Sequence, residues 1–212
     1  MKVTIFGATG LIGSECLSQC VEAGHEVTLL ARTPSKVPAE LRDRITLVAG
    51  DGLDPESVER ALTSDTDGVL FAIGIDRQSP EHLCSDVTRN ILASMRKLGI
   101  RRFVWVGGGN TVGGEDVVSF GSKFVGWFSR TFMALRHRDK LHQVALLNGS
   151  RDVEWVGIRP LQVRRGPMRG SYRVGFHRYS GFSKITAADC AQEMIRMLSD
   201  DTWLHRAPVI QY

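Results

Sequence analysis

Only four cysteines, three tyrosines and six lysines occur in the 212 residues. No two cysteines form a CxxC pair, and Cys16 and Cys20 stand four apart, on one face of a helix. That spacing predicts reduced core thiols rather than a disulfide framework or a zinc site. The six histidines show no HExxH and no pairing with cysteine at ligand spacing, so no metal is expected. No apolar run reaches the roughly 18 residues that a membrane helix needs. Met1 to Phe6 leads into a strand pattern without a signal-peptide core, so no membrane span and a cytoplasmic location are expected. Repeats, linkers and low-complexity tracts are absent as well.

Hydrophobic residues make up 42% and charged residues 24%, which excludes disordered, collagenous and fibrous classes. The net charge of +4 is uneven. Acids outnumber bases 14 to 12 over residues 1–106, and bases outnumber acids 15 to 9 over 107–212. Arginine exceeds lysine 21 to 6, and its planar fork suits phosphates and carboxylates. An anionic small molecule fits that balance better than nucleic acid, while a merely solvated basic surface explains it equally well.

The β-branched run at 2–6, a glycine turn, a helical pattern through Leu11, Ile12, Leu17, Val21 and Ala23, and a strand at 26–31 make one βαβ unit. Further strands are predicted at 45–49, 68–73, 102–106 and 155–158. Helices are predicted at 55–62 after Asp54, at 80–98, within 123–147, and at 187–198 after Thr186. This alternation predicts an α/β fold, a Rossmann-type doubly wound parallel sheet forming a single domain over 1–212. Two glycine-rich stretches interrupt the rhythm, at about 107–135 and 160–183. Both follow strands, so they are expected to wall a substrate site.

Gly7, Gly10 and Gly13 stand between the first strand and the first helix, the context in which a glycine turn binds a diphosphate at a helix N-terminus. At the end of the second strand an NAD-binding unit carries a carboxylate; here Arg32, Thr33 and Lys36 stand instead. Two cations and a hydroxyl suit the 2′-phosphate of NADP(H). Asp51 after the third strand and Gly74 after the fourth are placed by topology to meet the adenine and the ribose, though a turn role fits each as well.

These residues, with Val153 to Pro160, Gly170 to Gly175 and Ser183 to Ala191, resemble the atypical short-chain dehydrogenase/reductases, in the NAD(P)H-binding NmrA-like group that includes biliverdin-IXβ/flavin reductase. The resemblance covers nearly the whole chain. It implies NADP phosphates at Thr9, Gly10, Leu11 and Ile12, adenine near Asp51 and Gly52, and nicotinamide near Ile73, Gly74, Val106, Gly107 and Gly108. Pro160, Leu161 and Gln162 would lie on the other side.

The Tyr-x-x-x-Lys pair of typical members is missing, because none of Tyr172, Tyr179 and Tyr212 has lysine four residues on. Arg136-x-x-x-Lys140 stands in the corresponding place. Arginine cannot shuttle protons at neutral pH, so alcohol dehydrogenation is disfavoured. A flavin, quinone or tetrapyrrole acceptor, which delocalises charge, fits better; a sugar-nucleotide epimerase does not. The alternative is an NADP(H)-sensing, non-catalytic regulatory protein.

Lys140, which the resemblance also places at the cofactor, His137 and His142 are the candidates for acid–base work. The aromatic stripe Phe120, Phe124, Trp127, Phe128 and Phe132 could stack on an aromatic substrate, or serve as core or lid. Arg164, Arg165, Arg169, Arg173 and Arg178 could recognise its anionic groups. No oligomeric state or partner protein follows from the sequence.

Overall fold

Near-continuous apolar runs such as Val69 to Phe71 and Phe103 to Val106 put apolar side chains on both faces of a sheet, which therefore needs helices on each side. In the computed structural model, which describes residues 1–76, 78–108, 134–176 and 183–212 and the side chains of all of these but 134–137, that is the arrangement. The strands β1 (Lys2–Phe6), β2 (Glu26–Ala31), β3 (Thr46–Ala49), β4 (Gly68–Phe71), β5 (Arg102–Val106) and β6 (Glu154–Pro160) pair in parallel in the order β3-β2-β1-β4-β5-β6. The remaining strands are β7 (Gln162–Arg164), β8 (Arg173–Gly175), β9 (Lys184–Thr186) and β10 (Val209–Gln211). β10 extends the main sheet in parallel beyond β6, and β8 closes its edge as the eighth strand, antiparallel to β10. β7 and β9 form a separate parallel pair.

Among the described residues the helices are α1 (Leu11–Glu22), α2 (Ala39–Arg42), α3 (Pro55–Arg60), α4 (Leu83–Leu98), α5 (Ala134–Asn148) and α6 (Ala187–Arg196). α1 and α6 cover one face, burying Cys16, Leu17, Cys20, Cys190 and Met194 against Val3, Ile5, Leu29 and Val104. α3, α4 and α5 cover the other, with Val87, Ile91, Met95 and Leu147 packed on Phe6, Phe71, Phe103 and Trp105. The order reverses between β1 and β4, the switch point where doubly wound sheets open a crevice. No helix among the described residues is long and apolar enough to cross a membrane.

The sequence pattern located the six parallel strands and the long helices, with corrections at their ends. The helix expected from Pro80 starts at Leu83, after a turn whose Pro80 carbonyl accepts from Leu83 N. The strand expected to reach Ile73 ends at Phe71, where the chain leaves the sheet for the crevice. The stretch 160–183, expected as loop, contains β7 and β8, so the sheet is not wholly parallel. Each is three residues long, too short for alternation to register. The segment 109–133, with the aromatic stripe, and residues 177–182, with Arg178 and Tyr179, lie outside the described residues.

All four cysteines are buried and unpaired. Burial pushes the Cys20 thiol up to about 12 and raises Cys16, Cys84 and Cys190 as well, as unreactive core thiols require.

Candidate dinucleotide site

The turn after β1 brings chain segments too close for side chains. Gly7 has φ +90°, and a Cβ there would stand 2.7 Å from the Ala72 carbonyl carbon of the neighbouring strand end. A Cβ on Gly13 would lie 2.1 Å from the Gly7 oxygen, so glycine is what lets α1 start directly against the turn. Gly10, the N-cap of α1, donates its N–H to Gly7 O at 3.0 Å and contributes no capping side chain. The first turn of α1 therefore offers its N–H groups and the positive end of its dipole to whatever fills the crevice.

That crevice has a volume of about 510 Å³ and runs across the carboxyl ends of β1 to β4. Gly7, Thr9 and Gly10 form its floor under α1. Arg32, Thr33 and Lys36 stand at the end of β2, Asp51 and Gly52 after β3, and Ile73 and Gly74 after β4. Ten of the expected cofactor contacts thus meet in one cleft. Arg32, Thr33 and Lys36 are exposed, and none of their side chains has a partner among the described residues. No acid stands beside them at the end of β2; the cleft's acids, Asp51 and Asp76, lie after β3 and β4. Asp51 lines the cleft and also holds a turn, its Oδ1 accepting from Leu53 N at 3.0 Å.

The walls include residues that the sequence did not single out. Leu83 and Val87 reach in from α4, and a Cβ on Gly52 would meet Val87 Cγ1 at 2.8 Å, so the floor is close-packed there. Asp76 closes the far rim, accepting from Gln78 N at 2.9 Å and from Ser79 Oγ at 2.8 Å. The Asp76-x-Gln78-Ser79 spacing of an Asx turn is its sequence signal.

The other nine expected contacts are not among the described lining residues. Leu11 and Ile12 belong to α1, Val106 ends β5, and Pro160 and Gln162 bracket Leu161 between β6 and β7. Gly107 packs against the Trp105 indole, where a Cβ would come within 2.6 Å, and Gly108 follows it.

Lys140 is on α5 and Nζ donates to Val106 O at 3.3 Å and to Gln143 Oε1 at 3.1 Å. Gln143 in turn donates to Thr88 Oγ1 at 2.8 Å, so the ammonium is tied into a link between α5, α4 and the end of β5. His142 is exposed and stacks on His82, with ring centroids 5.3 Å apart, rather than facing the cleft. The side chains of Arg136 and His137 lie outside the described residues.

A model of an NAD(P)H-binding family matches residues 7–201. The chain belongs to that family. Its members bind NAD(P)H, and the cleft fits the group: an uncapped helix start, a glycine floor and unpaired cations are what a phosphate-rich dinucleotide requires.

Among curated relatives, a 3-beta-hydroxysteroid dehydrogenase of Mycolicibacterium neoaurum is 28% identical over 56% of this chain and 35% of its own length. The reductase pytE of Aspergillus terreus is 31% identical over 45% of this chain and 46% of its own. The matched part thus spans less than half of these relatives. Solved structures match throughout: an exported-protein candidate from Burkholderia pseudomallei, with TM-score 0.80 and 28% identity, covers all of both chains. A Veillonella parvula short-chain dehydrogenase/reductase in complex with NADP, at 17% identity and TM-score 0.79, covers 100% of this chain and 94% of that one. ChuY, an anaerobilin reductase of Escherichia coli O157:H7, shares the fold at 16% identity and TM-score 0.80, covering 100% and 97%.

Proposed function

We propose that the chain is an NADPH-dependent reductase acting on a flat, conjugated small molecule such as a flavin, quinone or tetrapyrrole. The observation that carries the reading is the cationic end of the cleft, where Arg32, Thr33 and Lys36 stand at the carboxyl end of β2 without a carboxylate. A doubly charged 2′-phosphate there gains charge-assisted donors that an unmodified ribose does not use. Thr9, Gly10, Leu11 and Ile12 hold the diphosphate at the start of α1. Asp51 and Gly52 meet the adenine, while Ile73 and Gly74 lie along the ribose and nicotinamide side.

Bound NADPH supplies the hydride; the protein supplies position and exclusion of water. Val106 and Gly107 border the ring, Gly108 leaves room beside it because nothing stands within 4 Å of where its Cβ would be, and Pro160, Leu161 and Gln162 form the opposite wall. Lys140 acts as a positioning residue that fixes the end of β5 through the Val106 carbonyl. Position 136, where typical members carry the tyrosine, is an arginine, which does not move a proton at neutral pH. An acceptor that spreads the incoming charge and takes its proton from water suits this arrangement. The relationship to the reductase pytE and the fold shared with an anaerobilin reductase support the same chemistry.

Incubating the purified protein with NADPH and a panel of flavins, quinones and linear tetrapyrroles, and following nicotinamide absorbance, tests the reading. The expected result is turnover above the protein-free rate for at least one acceptor. Tight NADPH binding with no turnover would replace it with a second reading, an NADP(H)-sensing regulatory protein, which the engagement of Lys140 favours.

A further inference from the structure

Between Glu154 and Asp189 the chain has no acidic residue, yet it carries Arg159, Arg164, Arg165, Arg169, Arg173, Arg178 and Lys184. The fold brings two of these guanidiniums, those of Arg169 and Arg173, onto one residue, Tyr212, with the backbone of Lys184 beside it. The Arg169 guanidinium lies 4.5 Å over the Tyr212 ring, and Arg173 Nη2 donates to the Tyr212 main-chain oxygen at 3.0 Å. Tyr212 N donates to Lys184 O at 3.3 Å. In the β7–β9 pair Gln162 stands opposite Lys184 and Arg164 opposite Thr186, whose Oγ1 accepts from Tyr212 Oη at 3.0 Å, so the strand end that carries Arg164, with Arg165 next in the chain, adjoins the same corner.

The corner is built rather than loose. Asp189, fully buried, accepts from Arg169 N and Gly170 N at 2.9 Å each, from Thr186 Oγ1 at 2.8 Å and from Tyr212 Oη at 2.5 Å. It fixes the backbone at Arg169 and Gly170 to the start of α6. Arg164 and Arg165 are exposed, and neither guanidinium has a partner among the described residues. Met168, 48% exposed, gives the same surface an apolar element.

Topology places this corner beside the reaction. β6 and β10 both end at the carboxyl edge of the sheet, and antiparallel β8 begins there with Arg173 opposite Gln211. Gln162, on the wall proposed for the substrate, is two residues from Arg164.

We infer that the acceptor carries an anionic arm, a carboxylate or phosphoryl group, which docks on Arg164 and Arg165 while its conjugated ring lies toward Pro160 to Gln162. The inference rests on the reductase reading for the ring and on the arginine corner for the arm. Two exposed guanidiniums favour a charged arm over its neutral counterpart by about 10-fold or more, the scale of one charge-assisted contact.

The test compares matched probes that differ in the arm. FMN against riboflavin examines the phosphoryl source, and a carboxylated naphthoquinone against its neutral parent examines the carboxylate source. Binding is read by flavin fluorescence and calorimetry with NADP present, in the intact chain and in the double variant Arg164→Ala/Arg165→Ala. The expected result is that one anionic probe binds at least 10-fold more tightly than its neutral partner. In the double variant that ratio should fall to about one, with NADPH affinity retained as the check of folding.

Equal affinities within both pairs, binding of neither anionic probe, or a preference that survives in the double variant would overturn the inference. So would a single-stranded oligonucleotide that binds at these arginines in preference to either probe. Failure of NADPH binding would sink the reductase reading separately, because the comparison is read on the probe.

Discussion

Two kinds of residue govern the cleft, those that must be small and those that must be charged. Gly13 belongs to the first, since a methyl group there would overlap the Gly7 oxygen at 2.1 Å. Gly13→Ala is expected to cost roughly 3 kcal/mol, seen as a fall in Tm on the order of 10 °C by calorimetry. A change under 2 °C, about half a kcal/mol, would mean that the turn relaxes at little cost. Arg32 and Lys36 belong to the second kind. Arg32→Ala/Lys36→Ala is expected to weaken NADPH by roughly 10- to 100-fold and NADH little. Equal losses for the two coenzymes in titration calorimetry would remove the 2′-phosphate assignment.

At the scale of elements, the helices are joined by side chains from distant parts of the chain. The N-cap of α4, His82, gives no capping bond from its own side chain. Asp139 of α5 does that work instead, its Oδ2 accepting from Cys84 N at 2.7 Å and its Oδ1 from Ser85 N at 2.9 Å. Because α4 supplies Leu83 and Val87 to the cleft, this cap also sets one wall of the candidate site. Asp139→Ala is expected to destabilise the protein by about 2–3 kcal/mol, for two lost charge-assisted bonds. Denaturant unfolding at neutral pH checks it, and Asp139→Asn, which keeps an acceptor, should recover part of the loss. By contrast, α3 and α6 are capped locally by Asp54 and Thr186, as the sequence predicts.

Across the whole molecule, Asp189 ties the arginine-bearing loop, α6 and the last strand into one unit. Burial alone would raise its pKa, but the hydrogen bonds from Tyr212, Gly170, Thr186 and Arg169 outweigh burial and hold it below the ordinary carboxylate value. A carboxylate depressed on folding adds stability that is fully present above its unfolded pKa, near 3.8, and is lost as pH falls through the folded value. Asp189→Asn should therefore be less stable than the native chain at neutral pH, with the gap narrowing on acidification below about pH 4. Urea unfolding across that range checks the sign; a gap that widens toward acid would contradict it.

The sequence by itself determined the sheet's parallel half, the glycine turn and the cations after β2, because these depend on local periodicity, backbone sterics and spacing within one βαβ unit. Asp54 and Thr186 were legible as caps for the same reason. The tertiary structure alone decided that Asp139 caps a helix more than fifty residues away and that Lys140 is spent on the Val106 carbonyl. It alone brought Arg169 and Arg173 onto Tyr212, and it turned parts of one expected loop into two three-residue strands. Each of these is a contact between segments far apart in the chain, made only when the packed sheet brings their ends to one edge, and no local pattern of residue types encodes it.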